Sequence, residues 1–201
     1  CSLAGQAFEL ASHFRYVYAI AFIPCLSALA LLRYWKGFAI GCICFAVNAI
    51  PMVEMYLPQK APEGKVLAQL SVLQFNLWGP KNTHYDKVIA LVKEKSPDVI
   101  GFSEITEIWE KALIKGLPEY NYRTVETRYG GVGFFSKLPL LASQIQYYGE
   151  IKRPRIEAHM IVGKYPVTFV FMHPVIPKHM YGVRNGELIT AGDYAGRCED
   201  P

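Results

Sequence analysis

Between Val72 and Glu104 the sequence reads strand, helix, strand, and this spacing constrains the fold more than any other feature. Val72-Leu73-Gln74-Phe75-Asn76-Leu77-Trp78 closes a largely apolar run that starts at Val66, the pattern of a central strand. Residues 82–95 predict a helix with Val88, Ile89, Leu91 and Val92 on its buried side and Asn82 as N-cap. Pro97 stops that helix, and residues 98–102 predict the next strand. Such a unit is a parallel crossover. It brings Asn76 and Glu104 to the ends of neighbouring strands, at one edge of one sheet. An amide and a carboxylate placed together begin a site for a hard divalent cation, which prefers oxygen ligands.

Downstream, residues 106–114 predict a short helix with Trp109 and Leu113 on one face. Residues 120–128 and 132–135 read as antiparallel strands around the turn Tyr129-Gly130-Gly131. Three more strands are expected at 144–151, 155–162 and 167–172, the last two joined through Gly163-Lys164-Tyr165-Pro166. A helix begins near Arg184. Mixed strands with flanking helices fit a two-sheet α/β sandwich.

The first quarter of the chain is different. Residues 16–32 and 37–53 carry no charge, and they account for much of the 52% hydrophobic content. A helix of this length rises about 26 Å, near the lower limit for spanning a bilayer. Pro24 and Pro51 interrupt the runs, which membrane helices tolerate better than soluble ones. Arg33-Tyr34-Trp35-Lys36 separates them, and cations in a short loop favour the cytoplasmic side. The expected organisation is a membrane region over 1–55 with two transmembrane helices, a linker over 56–64, and a third segment, 65–201, outside the cytoplasm. Residue 1 is Cys, and the chain is expected to be a piece of a longer protein. Cys25, Cys42 and Cys44 lie in the apolar runs, and Cys198 has no evident partner. Net charge is only +4, which permits an anionic substrate but lacks the dense basic stripe of a duplex-DNA binder.

Four short segments, in order, carry a resemblance. They are Phe75-Asn76-Leu77-Trp78; Pro97-Asp98-Val99-Ile100 leading to Glu104; Gly131-Val132-Gly133-Phe134-Phe135-Ser136-Lys137-Leu138-Pro139-Leu140; and Phe171-Met172-His173-Pro174. Together the segment from about Lys65 onward resembles the endonuclease/exonuclease/phosphatase superfamily. Ser103 stands where the family usually has Gln. The resemblance implies a four-layer α/β/β/α sandwich, of which this chain holds the N-terminal half. It implies Mg²⁺ or Mn²⁺ as cofactor, with Glu104 and Asn76 at the metal and His173 contacting the phosphate or protonating the leaving oxygen. Catalytic roles thus fall on His173, Asn76 and Glu104. The implied partners are a phosphoester (nucleic acid, phospholipid head group or small phosphoester) and the lipid bilayer.

The family's later Gly-Asp-x-Asn and Asp-His pieces do not match. Gly192-Asp193-Tyr194-Ala195 has Ala at the Asn position, and no Asp-His dipeptide occurs. The parent protein is therefore expected to be a membrane-anchored phosphoesterase and the chain itself to be inactive. The inner face of its first sheet should lack a packing partner. The competing expectation is a non-catalytic, membrane-tethered binding module that retains half the fold.

Overall fold

The computed structural model describes residues 11, 14–57, 66–149, 151–175 and 177–196. Contacts divide the chain into two compact units, one of residues 1–64 with 177–179, the other of residues 65–176 with 180–201. Most of the expected linker and Cys198 lie outside the described residues.

The first unit contains helices α1 (Arg15–Leu31) and α2 (Trp35–Tyr56), with Pro24 and Pro51 inside them. They pack antiparallel. Phe22 meets Phe45 edge-on at 6.5 Å, and Gly41 lies against Leu26. Neither Trp35 nor Lys36 belongs to the connection, as the sequence suggested; both open α2. By length and composition Trp35–Val53 is able to cross a membrane, whereas α1 is shorter. Leu31, Ile43 and Val47 remain largely exposed, and α1 buries no residue.

The second unit holds two sheets. Strands β1 (Val72–Asn76), β2 (Val99–Ser103), β3 (Tyr122–Glu126) and β4 (Val132–Ser136) form the first, in the order β1-β2-β4-β3. As expected of a crossover, β1 and β2 are parallel, with Asn76 opposite Ser103. Strands β5 (Leu140–Tyr148), β6 (Arg153–Val162) and β7 (Tyr165–Met172) form the second, an antiparallel meander. Helices α3 (Tyr85–Lys95) and α4 (Glu107–Gly116) cover the outer face of the first sheet. Thr106 caps α4 by accepting the Trp109 amide, and Trp109 and Leu113 are buried on one face. A 3₁₀ turn, Gly79–Lys81, delays α3, so its N-cap is His84 rather than Asn82. Asn82 instead accepts the His84 N–H at 3.0 Å, forming a local turn.

The sheets face each other through Val99, Val132 and Phe134 on one side and Ile156, Ala158 and Met160 on the other. Approach is so close at Gly101 that a Cβ there would fall 2.4 Å from the Phe171 ring. The inner face of the first sheet is therefore covered, contrary to the expectation that it would be bare. The second sheet supplies the partner because β5 turns back immediately after β4. Helix α5 (Pro177–Ala195) kinks at Met180, and its later part brings Tyr194 onto Arg155 of β6. The layers thus run helices, sheet, sheet, helix. Gly192 and Asp193 lie inside α5.

Candidate phosphoester site

Both sheets end at a common rim, and the three expected site residues meet there. Asn76 closes β1, Glu104 follows β2 and His173 follows β7. Asn76 Nδ2 donates to Glu104 Oε1 at 3.0 Å, and His173 Nε2 lies 3.3 Å from the same oxygen. One carboxylate oxygen thus joins the two sheets. The Glu104 and His173 side chains are 29% and 22% exposed, open enough for a ligand and dry enough to strengthen their contacts.

The backbone is shaped to achieve this. Glu104 has φ 56° and Trp78 φ 59°, left-handed conformations that non-glycine residues seldom adopt. Each costs on the order of 1–3 kcal/mol and persists only where surrounding contacts fix it. The Leu77 N–H donates to Ser103 O at 2.9 Å, continuing the β1–β2 pairing beyond the last ladder residue. The Trp78 N–H donates to Asn76 Oδ1 at 2.8 Å, so both ends of the Asn76 amide are engaged. This orientation is the only one that gives both neighbours a complementary atom, since a carboxylate cannot donate and an N–H cannot accept. Behind Glu104, Gly131 approaches Ile105 so closely that a Cβ would lie 2.1 Å from its carbonyl oxygen.

The second sheet holds His173 from two sides. Arg153, the first residue of β6, donates Nη2 and Nε to the His173 carbonyl at 2.8 and 3.2 Å. Glu187 of α5, 2% exposed, accepts the Val175 N–H at 3.0 Å, tying the loop after His173 to the helix. Burial, then the nearby Arg153 charge, lower the His173 pKa below the usual histidine value, against opposing pulls from Glu104 and Glu187. That shift favours the uncharged imidazole, whose Nε2 lies against Glu104.

Two of these contributors, Arg153 and Glu187, carry no recognisable sequence signal. The register that sets Arg153 opposite Tyr148, and the packing of α5, place them. Other histidines lie elsewhere in the network. His159 bonds Thr168 and Glu157 on β7 and β6, and His84 stands at the N-cap position of α3 without a side-chain capping bond. Ser136 forms a closed pair of bonds with Leu138 through its hydroxyl.

Among the described residues no three His, Cys, Asp or Glu side chains converge as a metal cluster. Mg²⁺ does not require one: it keeps most of its waters and takes one or two carboxylates. Glu104 provides one carboxylate on an accessible rim, so the donor set fits a one-carboxylate cation site. Asn76 fits better as the residue that orients Glu104, because its amide is already occupied.

The sequence model of the Endonuclease/Exonuclease/phosphatase family matches residues 73–196. The chain belongs to this family. Solved structures agree in fold. *D. rerio* TDP2 complexed with single strand DNA product gives a TM-score of 0.59 at 15% identity, over 64% of this chain and 55% of that one. TDP2 from *C. elegans* gives 0.57 at 13%, over 90% and 60%. An endonuclease/exonuclease/phosphatase family protein from *Leptotrichia buccalis* C-1013-b gives 0.50 at 15%, over 61% of each. The chain thus spans between 55% and 61% of these three structures. No curated protein matches it in sequence. The family's phosphoesterase-like fold is present here in part, with Asn76, Glu104 and His173 at one rim.

Proposed function

We propose that this chain carries the Glu104 side of the active site of a membrane-anchored, Mg²⁺- or Mn²⁺-dependent phosphoester hydrolase. The observation that supports it is the convergence of Asn76 and His173 on one oxygen of Glu104. In this reading Glu104 is the protein ligand of the cation, which when bound polarises a phosphoryl oxygen and offsets charge on the leaving group. Asn76 holds the carboxylate plane by its amide hydrogen. His173 donates through Nε2 to a phosphoryl or leaving oxygen of the substrate. Arg153 and Glu187 fix the His173 backbone.

The test is a Mn²⁺ titration of the full chain in detergent, followed by electron paramagnetic resonance. Glu104→Gln should weaken binding at least about tenfold, because it removes the ligand charge at nearly constant shape. His173→Ala should leave cation affinity nearly intact, and in the parent enzyme should slow phosphodiester hydrolysis about 10²–10⁴-fold. Equal Mn²⁺ affinity in wild type and Glu104→Gln would remove Glu104 from the site and favour the non-catalytic binding module.

We further propose that α1 and α2 anchor the protein in a bilayer with the Arg33–Lys36 end of the hairpin on the cytoplasmic side and the catalytic unit outside. The exposed apolar surface of both helices and the cations Arg33 and Lys36 support this. Alkaline phosphatase fused after Pro201 should be active. A cytoplasmic fluorescent reporter that works at that position overturns the orientation.

A further inference from the structure

Aromatic rings stand on both sides of the Glu104 rim, each with a cation beside it. On the β1 side, Trp78 is 60% exposed and Lys81 Nζ lies 5.4 Å from its ring centre. On the other side, the β3–β4 turn presents Tyr129, 57% exposed, with the Arg128 guanidinium 5.9 Å from its ring. Tyr147 of β5 meets Tyr129 at 6.0 Å, nearly perpendicular. Arg128, Tyr129, Tyr147, Ile151 and Lys152 line a cavity of about 420 Å³, within the range of small-ligand sites.

This cavity adjoins the candidate site through the backbone. Gly131, two residues from Tyr129, presses on Ile105, the neighbour of Glu104. Gly130 abuts the Arg153 guanidinium, which itself holds the His173 carbonyl. In the sheet order β1-β2-β4-β3, Trp78 follows β1, Glu104 follows β2, and Tyr129 joins β3 to β4. The rim from β1 to β3 covers three strand spacings, about 14 Å. Glu104 therefore sits between two ring platforms on one line.

Neither platform is required by the core. Two exposed rings on one rim, each beside a cation, match one ligand chemistry closely. Single-stranded nucleic acid binds by stacking bases on aromatic faces while cations track its phosphates. A duplex keeps its base faces stacked internally and calls for a denser basic stripe than this chain has. A lipid surface calls for a contiguous apolar patch, and here each ring is flanked by charge.

We propose that the rim binds single-stranded nucleic acid across the Glu104 centre, with Trp78 and Tyr129 as stacking platforms on opposite sides. Lys81 and Lys152 contact the flanking phosphates, Arg128 is held against Tyr129 by Glu126, and Tyr147 supports Tyr129 edge-on. This names the substrate class and rests on the phosphoester reading only for where the scissile bond would lie.

The test measures binding of a labelled oligothymidylate of about ten nucleotides, within the usual site size, by fluorescence anisotropy. The full chain is used in detergent, with no divalent cation and in the Glu104→Gln background, so that cleavage does not intervene. Trp78→Asn and Tyr129→Asn keep a residue that tolerates the left-handed backbone at both positions. Each should weaken binding about 5- to 100-fold, the effect of one lost base stack. Tyr129→Phe should bind like the parent. Lys152→Gln should lower the salt dependence of binding by about 0.7 in log–log slope, one phosphate contact. An abasic oligomer that binds as tightly as oligothymidylate, or both Asn variants binding like the parent, overturns the proposal. So does competition by phosphocholine at the oligonucleotide's own concentration, which would assign the rim to a lipid head group. Base-dependent binding without a Glu104-dependent Mn²⁺ site keeps this inference and removes the cation reading; the converse overturns this inference alone.

Discussion

The outer face of the first sheet and the outer face of the second are both covered by helix, yet their interiors differ. Under α3 and α4 lie Ile100, Phe102, Trp109, Leu113, Leu117 and Phe135, each 0% exposed. Their few polar atoms are satisfied singly, as where Trp109 Nε1 donates to Gly79 O and Asn82 O at 3.1 Å. The outer face of the second sheet buries Arg155 and Glu157 instead. Arg155 donates to Gln146 and lies over the rings of Tyr148 and Tyr194. Glu157 accepts from Gln146 at 3.0 Å and pairs with His159 at 3.0 Å. One layer is held by apolar burial, which is indifferent to pH. The other is held by buried polar pairing, which holds only while each charge keeps its partner. The site draws Asn76 and Glu104 from the first and His173 from the second.

The sharpest way to break this comparison is at Trp109. Trp109→Ala should destabilise the second unit by about 3–5 kcal/mol, the cost of emptying a large buried aromatic site. It also frees the two carbonyls that pin residues 79–82, just after Asn76. Chemical denaturation followed by circular dichroism reads the loss; a change below about 1 kcal/mol would show that this layer is not the apolar anchor described.

A smaller effect should appear on acidification. The Glu157 carboxyl is held below its ordinary 4.5 by hydrogen bonds from Tyr194, His159 and Gln144, although burial pushes it up. For a carboxylate depressed in the folded state, the stability gained is present above the unfolded value and lost as pH falls through the folded one. Amide protection factors across β5–β7 should therefore fall as pH drops below about 4.5, further than those of β1 and β2. Glu157→Gln should flatten that dependence. Equal acid sensitivity in both sheets would erase the distinction.

Much of this arrangement was legible in the sequence where signals are local. Hydrophobic periodicity placed α3, β2 and α4 to within a few residues, and Pro97 marked the boundary between α3 and β2 correctly. The first strand was read too long. Val66 and Leu67 are apolar but 78% and 65% exposed, and they sit before the ladder begins at Val72. Composition cannot report a missing neighbour. The strand-end positions of Asn76, Glu104 and His173 were legible in the apolar runs they interrupt or end, and their expected roles came from the family resemblance. Arg153, Glu187 and the Trp78 and Tyr129 platforms were not, since their roles arise where one sheet docks on another. That docking depends on register and on close approaches such as Gly101 to Phe171, which no short window of sequence contains.

The shared Glu104 oxygen has a consequence for assembly. Its two partners come from opposite ends of the unit's sequence: Asn76 from the first strand and His173 from beyond the last. Contacts of such long sequence separation carry a large loop-closure cost and form late. A chain that has folded only the first sheet holds Glu104 and Asn76 but not His173. The complete cluster therefore exists only in molecules whose second sheet has already docked, so it serves as a register of finished folding.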